Sequence, residues 1–144
     1  MVKIIISGHG DLSLGIVDAF EMIFGHDNEV KAIPFEKGEG LPQVQAKFTR
    51  EIEQLSDEEE ILFLVDVYGG TPYNAAAQVV YGKEFADILT GVNLPMVLEA
   101  AINKKQCSLA ELVSHLKQVA REGIKCFTEE MNRVQIIDDE EDLL

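Results

Sequence analysis

Apolar residues arrive along this chain in two alternating rhythms. Val2 to Ser7 (VKIIIS) is a stiff, nearly unbroken apolar run, which predicts a buried strand. Leu12, Ile16, Val17, Phe20, Ile23 and Phe24 then recur at helical spacing and predict a helix over 12–24, with Gly25 as its stop. Val30 to Phe35 reads as a second strand. Pro34 lies inside it and cannot donate to a ladder, so this strand belongs at a sheet edge. Beyond the Gly38-Glu39-Gly40 loop, Pro42 suits the first turn of a helix through about Leu55, with Val44, Phe48, Ile52 and Leu55 on one side. Ile61 to Val65 is apolar without alternation, the pattern of a strand buried on both faces, and it ends at Asp66. Thr71-Pro72 then reads as the cap and first position of a helix to about Tyr81. Phe85 to Leu89 is a fourth strand, and Asn93 and Pro95 start a short helix. Ser108-Leu109-Ala110-Glu111 is a capping box. It opens a long helix whose apolar side is Leu112, Val113, Leu116, Val119, Ala120, Ile124 and Phe127. Val134 to Ile137 reads as a last short strand.

Strands and helices in alternation make an α/β domain: an open, doubly wound, mostly parallel sheet with helices on both faces. Ligands of such sheets bind beyond the carboxyl ends of the strands, where strand order reverses. His9 follows the first strand and Asp66 ends the third. If those strands are neighbours, the two side chains share one crevice.

Composition narrows the choices. At 144 residues, 47% hydrophobic and 26% charged, the chain is an ordinary single globular domain. No apolar run is long enough to span a bilayer. The opening MVKIII lacks the pattern of a secretory signal, which predicts a cytoplasmic protein. Cys107 and Cys126 form no CxxC and read as free thiols. The formal net charge of −14 argues against nucleic acid, which needs a basic footprint, and suits a basic protein partner. Much of the acid lies in Asp138-Asp139-Glu140-Glu141-Asp142, which reads as a solvated, frayed terminus. His26 reads as an exposed turn residue and His115 as a helix flank. With His9, they offer no short metal-ligand spacing, so no metal is expected.

The candidate chemistry lies in the crevice. A carboxylate that takes the N–H at Nδ1 of an imidazole fixes its tautomer and leaves Nε2 as nucleophile or base. Asp66 is placed to do this for His9, and would stabilise positive charge that develops on the ring. Glycines on both sides of His9 would let a bulky group approach. Gly69-Gly70-Thr71-Pro72 feeds a helix N-terminus, where free N–H groups and the helix dipole favour an anion, and Thr71 adds a hydroxyl. Gly10-Asp11-Leu12 opens a second helix beside it. A tetrahedral anion held by Thr71, Gly70 and Gly10 and attacked by imidazole is phosphoryl transfer to histidine. A nucleotide- or dinucleotide-binding module on the Gly8-His9-Gly10 loop is the alternative, with Glu36 as a ribose acid. It is weakened by Ser13 at the third glycine position and by Asp11 near the pyrophosphate. A Walker loop is absent.

Three motifs carry a resemblance that reaches from Met1 to about residue 130. Ser7-Gly8-His9-Gly10, then the run Leu62 to Asn74 (LFLVDVYGGTPYN), then Gly91-Val92-Asn93-Leu94-Pro95-Met96 resemble the IIA component of the mannose family of the bacterial sugar phosphotransferase system. The resemblance implies four parallel strands plus a fifth, antiparallel strand exchanged between the subunits of a homodimer. Arg133 to Ile137 would be that strand. Residues 1–131 would form the domain, and 132–144 the strand and acidic tail. The phosphoryl group would come from the phosphohistidine protein HPr. It would rest on His9, oriented by Asp66 with Thr71 on the phosphate side, and pass to IIB, which serves the membrane components IIC and IID. No cofactor is implied. Where some members carry threonine after the aspartate, this chain has Val67, so no hydroxyl role carries over. The fused IIB domain of some members is missing, so IIB is expected as a separate protein. The protein would be a relay without a small-molecule pocket, with Leu12, Tyr68 and Tyr73 as a docking rim. A regulatory dimer that senses phosphorylation is a third reading.

Overall fold

The apolar run at the N-terminus forms strand β1 (Val2–Ser7), in which every residue but Lys3 is buried. It pairs in parallel with β3 (Glu60–Val65) in the register Val2 with Glu60 through Ser7 with Val65. These two strands are the centre of the sheet because they lack a polar face to offer water. The sheet order is β2-β1-β3-β4, all parallel, with β2 (Val30–Ala32) and β4 (Ala86–Leu89) at the edges. The structure is a computed structural model and describes residues 1–142.

Helices cover both faces. On one, α1 (Leu12–Phe24), α4 (Leu94–Asn103) and α5 (Leu109–Glu122) bury Phe20, Val97, Ala100, Leu112 and Leu116 against Ile4, Ile6, Leu62 and Leu64. On the other, α2 (Leu41–Glu53) and α3 (Thr71–Val80) bury Val44, Phe48, Ala75 and Ala76 against Ile5, Ile61, Phe63 and Val65. Successive residues of a strand point to opposite faces, and β1 and β3 divide their side chains between the two cores accordingly.

Proline cuts the second strand short of the expected Phe35. Ile33 N–H still reaches the Ile6 carbonyl (2.8 Å), Pro34 has no N–H to continue, and Phe35 rejoins as an isolated bridge to His9 and Gly10. Gly70, not Thr71, caps α3, so Thr71 is the first helical residue. The Ser108 capping box forms, with Glu111 N–H donating to Ser108 Oγ (3.2 Å). The long helix stops at Gly123 rather than carrying through Phe127.

The largest departure is at the end of the chain. The expected fifth strand, Arg133 to Ile137, is helical and belongs to α6 (Phe127–Asp142), which also takes up the acidic run expected to fray. The sheet described here is therefore four parallel strands without an antiparallel one. A strand satisfies its backbone only against another strand, whereas a helix satisfies its own N–H and C=O groups. Glu129 and Glu130 in the first turn suit the positive end of the helix dipole. Residues 143 and 144 of the expected tail lie outside the described residues.

Candidate functional site

The chain order reverses between β1 and β3. From β1 it steps outward to β2, then returns past β1 to β3. The carboxyl ends of β1 and β3 therefore open a crevice, and His9 and Asp66 stand on its two sides.

They are in contact. His9 Nδ1 lies 2.7 Å from Asp66 Oδ2, and the same oxygen accepts the His9 main-chain N–H at 2.9 Å. The other oxygen, Oδ1, accepts the Val67 N–H at 2.8 Å. Asp66 is thus held by three N–H groups, one of them the imidazole's. Burial pushes its carboxyl up, but the bonds from the His9 main chain, the His9 ring and Val67 outweigh that and hold it below the ordinary aspartate range. Ionised at neutral pH, it accepts from Nδ1–H and fixes the tautomer with the lone pair on Nε2. Asp66 is sheltered, its side chain 12% exposed, while that of His9 is 52% exposed. Among the described residues Nε2 has no hydrogen-bond partner. A carboxylate therefore grips one edge of the ring from below and the other edge faces outward.

The glycines serve this contact. A Cβ on Gly8 would meet Leu12 Cδ2 at 3.0 Å and Asp66 Oδ2 at 3.2 Å, so the missing side chain makes room for the carboxylate, not for an incoming group. Gly10 has φ +60°, a left-handed turn that glycine adopts without strain, and open space beside it. Its N–H is spent on the Phe35 carbonyl at 2.9 Å. Gly10 is therefore not an anion donor, contrary to the expectation from sequence. The same bond, with the His9 N–H taken by Asp66, withdraws two of the three N–H groups of the Gly8-His9-Gly10 loop from any phosphate, and nothing in the site favours the nucleotide alternative.

The start of α3 flanks the outward edge of the ring. A Cβ on Gly70 would lie 3.0 Å from His9 Cε1, the carbon between the two ring nitrogens. Gly69 turns the loop at φ 82°, and Asn74 Nδ2 ties its carbonyl at 3.1 Å. Gly70 N–H is spent on the Val67 carbonyl at 3.3 Å. The remaining first-turn donors of α3 are the N–H groups of Thr71 and Tyr73, which helix geometry leaves without an intrahelical acceptor; Pro72 has none. Thr71 is part-buried there. The third motif braces the arrangement from the far side. Gly91 N–H donates to the Asp66 carbonyl (3.0 Å) and Val92 N–H to the Val65 carbonyl (3.1 Å). Asn93 caps α4 through Met96 N–H at 3.0 Å.

Around the crevice Leu12, Val67 and Tyr68 expose large hydrophobic side chains, and the Tyr73 ring meets that of Tyr68 at a tilt of 45° and a centroid distance of 4.7 Å. Sequence reasoning missed two contributors. Val67 lacks a hydroxyl but supplies its N–H to Asp66. Phe35, read only as a strand end, meets the His9 ring edge-on at 5.4 Å. His26 and His115 lie apart from the site, on Asn28 (2.7 Å) and Glu99 (2.9 Å) respectively.

The fold and site together define a doubly wound parallel α/β protein with an aspartate-held histidine at the switch point of its sheet. The chain belongs to the EIIA-man family: the model described as "PTS system fructose IIA component" matches residues 3–117. The fructose-specific EIIA component of Bacillus subtilis (strain 168) is 38% identical over 135 residues, 94% of this chain and 92% of that protein. The sorbose-specific EIIA component of Lacticaseibacillus casei is 36% identical over 130 residues, 90% and 94% of the two chains. The crystal structure of the EIIA component from Streptococcus agalactiae superposes with a TM-score of 0.83 at 33% identity, covering 90% of this chain and 99% of that one. Membership carries a phosphotransferase activity in sugar uptake, exercised with a phosphocarrier and sugar-specific components of the system. No helix among the described residues is long and apolar enough to cross a membrane.

Proposed function

We propose that this chain is a phosphocarrier that takes a phosphoryl group from phospho-HPr on Nε2 of His9 and passes it to a IIB component. The observation that carries the reading is the 2.7 Å contact between Asp66 and Nδ1, opposite an unpartnered Nε2. In the transfer the Nε2 lone pair forms a bond to phosphorus. The bond from phosphorus to the donor's ring nitrogen breaks, and its electron pair stays on the donor. No proton moves, because Asp66 already holds the His9 proton on Nδ1. Positive charge that grows on the His9 ring is met by the carboxylate, and the phosphoryl oxygens face the Thr71 hydroxyl and the first turn of α3. Passing the group to IIB runs the same steps in reverse.

HPr and IIB would dock on the rim of Leu12, Val67 and Tyr68. The net charge of −14 would steer a basic HPr, so association should slow as salt rises. The homodimer belongs to the same reading. Its support is the exposed apolar stripe of Phe127, Met131, Val134 and Ile137 along α6, which a second copy would cover. Light scattering across a concentration series tests it, and a monomer at micromolar concentration would overturn it.

The carrier role is tested by incubating the protein with phosphoenolpyruvate, enzyme I and HPr. One acid-labile, base-stable phosphoryl group per chain is expected, and none in His9→Ala. A label that persists in His9→Ala refutes the assignment.

A further inference from the structure

We propose that Phe35 is a positioning residue for His9, setting the plane of the imidazole that Asp66 alone leaves free to rock. A single hydrogen bond at Nδ1 fixes one point of the ring. The ring also hangs from Cβ by two torsions, χ1 and χ2, and one contact leaves a coupled motion of the two that swings Nε2. A second contact on the ring is needed, and Phe35 makes it: the two rings meet at 5.4 Å with 67° between their planes, the favoured edge-on arrangement of aromatic groups.

Phe35 is itself anchored for the task. Its N–H donates to the Gly8 carbonyl at 3.1 Å and its carbonyl accepts the Gly10 N–H at 2.9 Å. One residue thus bonds the main chain on both sides of His9. Its side chain packs on the core cluster of Ile5, Ile33, Val44 and Phe48, so the contact is backed by close-packed interior. Pro34, immediately before it, removes one backbone freedom from the approach. The ring of His9 is then bounded by Asp66 at Nδ1, by Gly70 at the Cε1 edge and by Phe35, with Nε2 left open. Asp66 selects the tautomer, and Phe35 aims the lone pair.

The effect on transfer rests on the phosphocarrier reading, whereas the effect on ring motion does not. Two variants separate the ring contact from bulk: Phe35→Leu keeps apolar volume and loses the aromatic edge, and Phe35→Tyr keeps the edge. The energy of an aromatic pair beyond its area corresponds to about a 3- to 10-fold slower phosphorylation of His9 in Phe35→Leu. Phosphoramidate serves as one donor and phospho-HPr as the other, and the expected slowing is the same with both. The relaxation of the His9 Cε1–H bond, measured by 13C NMR on the unphosphorylated protein, is expected to show a looser ring in Phe35→Leu. In Phe35→Tyr both the rate and the ring order should recover. Ring order equal to wild type in Phe35→Leu overturns the proposal, as does slowing with phospho-HPr alone, which would make Phe35 a docking contact. Should the wild-type protein take no phosphoryl group from either donor, the phosphocarrier reading falls, and the relaxation comparison still decides the role of Phe35.

Discussion

Asp66→Asn is a nearly isosteric change, yet no placement of the new amide keeps all three bonds. Both carboxylate oxygens accept N–H groups: Oδ2 from the His9 main chain and ring, Oδ1 from Val67. Asparagine offers one oxygen and one NH₂. With the oxygen toward His9, the NH₂ faces the Val67 N–H, and a sheltered donor is left unpaired at a cost of about 1–3 kcal/mol. With the amide reversed, the NH₂ donates to Nδ1. The ring proton must then move to Nε2, which removes the lone pair that the proposed transfer needs. Either way the charge opposite the developing imidazolium is gone. A hydrogen bond to a charged group exceeds a neutral one by about 1–2 kcal/mol, and 1.4 kcal/mol is tenfold in rate. The transfer from phospho-HPr should therefore slow by about 5- to 30-fold, with a larger loss when the amide reverses. Rapid-quench measurement of phosphohistidine gives the rate, and 15N NMR of the imidazole gives the tautomer. Wild-type transfer by Asp66→Asn with the proton still on Nδ1 would refute the role given to the carboxylate.

Gly70→Ala should cut phosphorylation of His9 by more than about tenfold at a modest loss of stability, because its Cβ would come 3.0 Å from Cε1 of the ring and 3.1 Å from Val67 Cγ2. Rate and thermal melting measured side by side check this, and an unchanged rate would show that the ring has room to yield. Asp66 has a folded-state pKa below its unfolded one, so the stability that its bonds lend is complete above the unfolded value and fades as pH falls through the folded one. The His9 ring order seen by NMR should follow the same descent, and a site that stays rigid at strongly acid pH would contradict it. Burial pushes the Glu51 carboxyl up, but Lys3 at 2.8 Å and Lys31 at 2.5 Å hold it low. Glu51→Ala should therefore cost about 1–3 kcal/mol in urea denaturation near neutral pH, and less in acid. Phe48→Ala empties a fully buried site and should cost about 3–5 kcal/mol in the same assay. A smaller loss would mean that α2 collapses into the gap.

Much of the fold was legible because periodicity is local. The unbroken apolar runs of Val2–Ser7 and Ile61–Val65 can be satisfied only in the middle of a sheet, and Pro34 can sit only at an edge. Both follow from backbone hydrogen bonding and burial without knowledge of the neighbours. The C-terminal segment departs from the expected strand for the converse reason. Val134-Gln135-Ile136-Ile137 has strand-like side chains, but a strand exists only if an edge receives it, and within one chain the segment closes its own bonds as α6. Thr71 moved from cap to first turn by one residue, since Gly70 has the extended backbone that the cap requires.

The residue types at the strand ends marked the candidate site: a histidine among glycines, an aspartate where an apolar run stops, and a glycine-rich entry to a helix. Their spacing along the chain implied one crevice once the strands were adjacent. Folding alone decided what the neighbours are for. Gly8 makes room for a carboxylate that lies 57 residues further on from His9. Gly10 gives its N–H to Phe35 and has none for an anion, and Phe35 becomes a wall for the imidazole. Pattern along a chain reports which face each residue turns to the solvent. Contact across two crossovers depends on how layers stack, and a one-dimensional string does not carry that distance.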